Sequence, residues 1–180
     1  MKRMIAIGVM LLITQLASTT LYADSQTDNS LFVVARSGDL VQLEQLLEQG
    51  GNPNSTNAQG FTPLILAAYY GHIPLVERLI QSGSKACAVD SKGSNAMMGA
   101  AFRGHIDMIQ CLLENANCDV NHRNLAGQTT LMMAALCGRE DIIDLLMKYD
   151  ADPSIQDAAG NRAASLAMGQ GQQLLAEKLK

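Results

Sequence analysis

The chain of 180 residues contains no tryptophan, and aromatic residues make up only 4% of it. An apolar run near the N-terminus, Ile5–Ile13, has nine residues before Thr14 and Gln15 interrupt it. Because a helix needs about 20 apolar residues to span a bilayer, this run does not favour a transmembrane helix. The Gly-x-Ser-x-Gly, phosphate-loop and dinucleotide-binding patterns are also missing. These absences argue against a membrane protein and against the enzyme classes that those motifs mark.

The N-terminus has the order of a secretory signal. Two basic residues follow Met1, the apolar run comes next, and small Ala23 precedes Asp24. This order predicts a signal peptide over residues 1–23, with cleavage after Ala23. Residues 24–28 would then form a short mature N-terminal segment. We therefore expect an exported, periplasmic protein.

The charge balance is mildly acidic, with 13 basic and 17 acidic residues. Removal of residues 1–23 would take away Lys2 and Arg3, which leaves 11 basic residues against 17 acidic ones. Such a chain has no electrostatic reason to bind nucleic acid or an anionic membrane surface. We expect no nucleic-acid partner, and no membrane span after signal cleavage.

Five glycines recur at a nearly constant interval. Their spacings are 33, 33, 34 and 33 residues, and they are Gly38, Gly71, Gly104, Gly138 and Gly171. Short apolar pairs stand before and after them, as Ala67-Ala68 and Leu79-Ile80 do around Gly71. A period of this length indicates stacked supersecondary units rather than one core folded around a point. Such stacks usually present a binding surface and not a catalytic pocket.

The second unit is the clearest copy. Asn57 and Gly60 favour a tight turn, because Asn can bond its own backbone and Gly accepts a positive φ. Thr62 is a suitable N-cap for a helix that has Pro63 in its first turn. Gly71 predicts a left-handed end to that helix. A second helix and another turn complete the unit.

These residues resemble the ankyrin repeat. The family's turn, helix start, alanine pair, Gly-His corner and aliphatic pair stand here as Asn57–Gly60, Thr62–Ile65, Ala67-Ala68, Gly71-His72 and Leu79-Ile80. Ile65 departs from the family, which often has His there. The resemblance covers residues 29–180 and implies an all-α solenoid of about five helix-turn-helix units, with short hairpin-like turns between repeats. The approximate repeats are 29–56, 57–89, 90–123, 124–156 and 157–180, of which the first and last resemble caps.

The histidines give no sign of catalytic or metal chemistry. His72 and His105 both follow a corner glycine, and their 33-residue spacing favours a structural role. His122 has no second ligand nearby in sequence, whereas a zinc site needs three or four converging ligands. We predict no catalytic residues, no metal and no cofactor.

The four cysteines, Cys87, Cys111, Cys118 and Cys137, allow a disulfide in an oxidising compartment. Cys87 and Cys118 fall in the loops after the second helices of successive repeats, so stacking would make them neighbours. Our hypothesis is a Cys87–Cys118 disulfide, and the alternative is two separate thiols. Cys111 is expected in the core and Cys137 towards the groove.

The methionines leave a second alternative open. Seven of them follow the predicted signal peptide, and clustered Met in an exported protein can bind copper(I). Most of them occupy apolar positions of the repeat, however, which favours adaptable core filling.

Partner contacts are expected at the turn tips and at the two residues before each corner glycine. The chain's few aromatic residues concentrate at these positions in repeats two and three, and aromatic and Arg side chains are enriched in binding hot spots. The alternative is that Phe61 or Phe102 folds back over its own repeat. The predicted partner-binding residues are Phe61, Tyr69, Tyr70, Lys92, Phe102, Arg103, Gln128 and Leu136.

The resemblance implies a non-catalytic, monomeric module that binds another protein. The signal and the small array are similar to periplasmic ankyrin proteins associated with catalases, which implies support of a catalase in peroxide resistance. A second resemblance is to periplasmic immunity proteins that neutralise a secreted toxin. A metal or redox sensor built on Met and Cys is the alternative of another class.

Overall fold

The computed structural model describes residues 26–180. The predicted signal peptide, residues 1–23, lies outside the described residues. The first described helix, α1, covers residues 26–37. It therefore includes residues 26–28, which the sequence predicted to precede the repeats.

Nine further helices follow in the described part of the chain, and with α1 they form five pairs. Within residues 26–180 there is no β-strand, and an isolated bridge joins Val89 and Asn95. The predicted all-α solenoid is confirmed. The later helices are α2 (Leu40–Glu48), α3 (Pro63–Tyr70), α4 (Ile73–Gln81), α5 (Ala96–Arg103), α6 (Ile106–Ala116), α7 (Thr130–Leu136), α8 (Glu140–Lys148), α9 (Ala163–Gly169) and α10 (Gln173–Lys178).

The pairs stack in two layers. The first helices α3, α5, α7 and α9 pack in sequence against one another, and the second helices α2, α4, α6 and α8 form the other layer. Alanine pairs such as Ala67-Ala68 and Ala100-Ala101 are fully buried in the first layer. Their small side chains let neighbouring helices approach closely, so one continuous apolar core runs through the stack.

The first helices of the three central repeats begin in the same way although their sequences differ. Thr62, Asn95 and Thr129 each stand at the N-cap and accept a hydrogen bond from the N–H three residues later. Asn and Thr can both do this, because each offers a side-chain oxygen close to its own backbone. The third repeat has Asn95 in place of Thr, and the helix cap is therefore kept.

Two adjacent buried threonines at the start of α7 are expected to respond differently to replacement by valine. Thr129 Oγ1 caps the Met132 N–H, whereas Thr130 Oγ1 has no partner among the described residues. Thr129→Val should lower the free energy of unfolding by about 1 kcal/mol. Thr130→Val removes an unpaired buried hydroxyl and should leave stability unchanged or raise it slightly. Urea unfolding followed by circular dichroism measures both, and equal losses would contradict the expectation.

The turns between repeats are hairpin-like and stack on one another. In the second repeat, the Asn57 N–H donates to the Phe61 carbonyl and the Gly60 N–H to the Asn57 carbonyl. One backbone hydrogen bond then joins each of the central turns to the next. The bonds run from Ser91 N to Gln59 O, from Leu125 N to Lys92 O and from Ala158 N to Ala126 O.

The corner histidines also join repeats. His105 Nε2 lies 3.2 Å from the Tyr69 carbonyl, and His72 Nε2 lies 3.0 Å from the Arg36 carbonyl. Because a carbonyl only accepts, Nε2 is the protonated nitrogen in each ring. The structural role predicted for both histidines is confirmed. Gly71 ends α3 at φ 81°, the left-handed cap expected from the sequence.

Among the helices of residues 26–180, none has the length and apolar character that crossing a membrane requires.

Candidate partner-binding groove

The first helices and the turns of the central repeats enclose an open groove of about 660 Å³. Apolar and aromatic side chains form much of it, with several polar side chains from the turns. Its lining residues are Arg36, Gln59, Phe61, Ile65, Leu66, Tyr69, Tyr70, Asp90, Lys92, Ser94, Asn95, Met98, Gly99, Phe102 and Met133. Concave sites with apolar walls and a few polar groups are typical binding sites.

The groove owes its depth to a glycine in α5. Gly99 stands five residues before its corner glycine, at the position that Leu66 has in α3 and Met133 has in α7. All three line the groove, but only Gly99 contributes no side chain to it. A Cβ atom added at Gly99 would lie 3.5 Å from the ring of Tyr69, which is ordinary contact. On α3 and α7 the side chains of Leu66 and Met133 occupy the equivalent position. On α5 the missing side chain leaves an open space there.

Five of the eight predicted partner-binding residues line this groove: Phe61, Tyr69, Tyr70, Lys92 and Phe102. Phe102 is 52% exposed and Tyr70 is 41% exposed, while Tyr69 is half-buried. The rings of Tyr69 and Tyr70 meet edge to face with centroids 5.3 Å apart. These side chains reach solvent, so residues 26–180 leave the groove open. Phe61 also packs against the core, as the alternative for that residue proposed.

The other three predicted residues lie beside the groove and do not line it. Arg103 places its guanidinium carbon 5.1 Å from the centroid of the Tyr69 ring, a cation–π arrangement that supports the ring from outside. The side chain of Gln128 accepts a hydrogen bond from Asn124 within its own turn. Leu136 is half-buried at the end of α7.

Four further residues line the groove that the sequence did not predict as partner-binding: Arg36, Met98, Gly99 and Met133. Arg36 stands two residues before Gly38, as Tyr69 stands before Gly71, so the repeat spacing could have identified it. Arg36 belongs to the first repeat, whose sequence resembles a cap. Met98, Gly99 and Met133 lie about one helical turn before the two residues that precede each corner glycine. The sequence pattern assigns such positions to the core.

The geometry of Cys87 and Cys118 fits the predicted pairing. Their sulfur atoms lie at disulfide distance and their Cα atoms are 5.5 Å apart, within the range that a disulfide requires. Cys111 is buried, as expected, and Cys137 is half-buried. Burial raises the pKa of the Cys111 thiol, so its reactive thiolate form is disfavoured.

The methionines support core filling more than a metal site. Met97, Met98, Met108 and Met132 are all buried within the stack. Within residues 26–180 no three His, Cys, Asp or Glu side chains converge as ligands of a metal ion would. A metal or redox sensor would therefore lack a cluster of these four ligand types in the described part of the chain.

The stacked helix pairs and the open groove define a repeat protein of the interaction-scaffold class. The family model for ankyrin repeats, which spans 3 copies, matches residues 31–124 and also residues 74–157. The chain belongs to the ankyrin repeat family. Its members are typically non-enzymatic modules that bind other proteins. No curated protein matches the chain significantly.

Proposed function

We propose that this protein is exported to the periplasm and binds a partner protein in its aromatic groove without catalysing a reaction. The single observation that carries the proposal is the exposure of Tyr70 and Phe102 at the groove, in a chain with only 4% aromatic residues. Exposed aromatic side chains that lie together are favoured at interfaces, since each one buries a large apolar area when a partner binds. Export rests on the predicted signal over residues 1–23.

Alanine substitutions at the groove should weaken binding without unfolding the protein. Tyr70→Ala and Arg103→Ala each remove an exposed side chain, and the loss expected for a hot-spot residue is about 1–3 kcal/mol of binding free energy. Leu174→Ala is the matched control, because Leu174 is 90% exposed on α10, away from the groove. The measurement is capture of the partner from a periplasmic extract, followed by titration of the identified protein. Wild-type affinity of both groove variants would refute the site.

The same capture experiment tests the specific role. The partner class that we propose from the resemblance is a catalase, whose recovery would link the protein to peroxide resistance. Recovery of a toxin that the protein inhibits with very high affinity would instead indicate immunity.

A further inference from the structure

Charge is unevenly distributed between the two helix layers. The second helices carry nine acidic residues against three basic ones. The first helices carry three charged residues, namely Asp28 and Arg36 on α1 and Arg103 on α5. The acidic residues of the second layer are Glu44, Glu48, Glu77, Asp107, Glu114, Glu140, Asp141, Asp144 and Glu177. The net negative charge of the protein therefore lies mostly on the face opposite the groove.

The groove itself has a positive rim. Arg36 and Lys92 line it, and Arg103 lies against the Tyr69 ring beside it. Within the described residues, no ion pair includes Arg36, Lys92 or Arg103. All three side chains are exposed and no carboxylate of residues 26–180 pairs with them, although Arg36 also donates a hydrogen bond to the Phe32 carbonyl.

One acidic residue, Asp90, also lines the groove. Its Oδ1 accepts hydrogen bonds from the Lys92 and Ser94 N–H groups, at 2.8 and 2.9 Å. Those donors hold Oδ1 in its own turn, and the single negative charge of Asp90 is outnumbered by the three positive charges. The local balance in the groove is positive although the whole chain is acidic.

The floor between the charged residues is apolar. Tyr69, Met98 and Phe102 line the groove together with Gly99, and the Tyr69 ring borders the space that Gly99 leaves. A ligand that fills this space gains hydrophobic free energy only if it inserts an apolar side chain there. Both the floor and the rim therefore constrain the same ligand.

We infer that the groove takes an extended segment of the partner protein in which acidic residues flank a bulky apolar side chain. The inference rests on the proposed function and specifies which side chains the partner presents to the groove. The apolar side chain enters the space beside Gly99, and the flanking carboxylates pair with Lys92, Arg103 and Arg36. The acidic second layer repels the same segment, so charge directs the partner to the groove and sets its register.

Selection from a phage-displayed library of random dodecapeptides on the immobilised protein tests the inference. Enriched sequences should combine Asp or Glu with a neighbouring Leu, Ile, Met or Phe. Their affinity should fall about tenfold for the Lys92→Glu/Arg103→Glu variant, and it should weaken as salt rises. Lys148→Glu is the control, because it introduces the same kind of charge reversal on exposed α8 and should leave binding unchanged.

A Gly99→Met variant separates failure of the inference from failure of the proposed function. Its side chain enters the groove, as Met133 does from α7, while removal of a helical glycine should maintain or raise stability. Peptides that lose binding to Gly99→Met but show no acidic bias would overturn the charge assignment and leave the groove as the site. No enrichment, or peptides that bind Gly99→Met as well as wild type, would overturn both.

Discussion

Replacing Cys87 and Cys118 together by alanine is expected to lower the free energy of unfolding by about 3 kcal/mol. A disulfide between them would close a loop with a sequence separation of 31 residues, and the loss of that constraint on the unfolded chain gives this magnitude. Urea unfolding of the oxidised protein, with and without a reductant, measures it directly. Identical stability with and without reductant would contradict the disulfide.

The neighbouring loops show why Cys87 and Cys118 lie together at this place in the stack. Asn54 Nδ2 donates to the Gly83 carbonyl, and its Oδ1 accepts from the Lys85 N–H, 31 residues away. Asn121 makes the same two bonds, to the Asp150 carbonyl and from the Asp152 N–H, again 31 residues away.

Cys87 and Cys118 have that same separation and stand at the corresponding positions of the loop between these two. Cys87 precedes Asp90 by three residues, as Asn54 precedes Asn57. A Cys87–Cys118 disulfide would therefore replace the pair of hydrogen bonds that an asparagine makes at the other two junctions.

This equivalence supplies a control variant for the disulfide. Cys87→Asn with Cys118→Asp copies the Asn121 and Asp152 pair, so it should recover about 1–2 kcal/mol of the loss through two hydrogen bonds. Its stability should not respond to reductant. If it is no more stable than the double alanine variant, the two kinds of junction are not equivalent.

The fold was predictable because its determinants are local and repeated. The turn at Asn57–Gly60, the cap at Thr62 and the corner at Gly71 each specify their own backbone geometry, and the period gives the stacking. The third repeat shows that the cap residue can change without loss of the local structure, since Asn95 supplies the same cap as Thr62. The proximity of Cys87 and Cys118 was predictable from the period, because corresponding positions in successive loops lie side by side in the stack.

The groove was only partly predictable, because its shape depends on differences between repeats. The aromatic residues at the corners could be located by their offset from Gly71 and Gly104. The space between them results from Gly99, whose absent side chain matters only when compared with Leu66 and Met133 in three dimensions. The direction of a long side chain such as Arg103 is likewise not specified by its position in the repeat.

Gly60→Ala is expected to lower the free energy of unfolding by about 3 kcal/mol, through two separate effects. Gly60 has φ 77°, a conformation that costs an L-residue about 1–2 kcal/mol. A Cβ atom there would also lie 2.6 Å from the Ser91 backbone nitrogen, in the turn of the next repeat. Backbone atoms cannot move aside as a flexible side chain does, so the stacked turns must separate, at a cost of about 1–3 kcal/mol.

Gly160→Ala isolates the first of these effects. Gly160 has the same place in the last turn and φ 79°, but among the described residues no atom lies within 4 Å of an added Cβ. It should therefore lose only about 1–2 kcal/mol. The difference between the two variants in urea unfolding measures how tightly successive turns are stacked. Equal losses would mean that the turns separate without cost. The turns that contribute Gln59 and Lys92 to the groove would then be too loosely held to form a rigid binding surface.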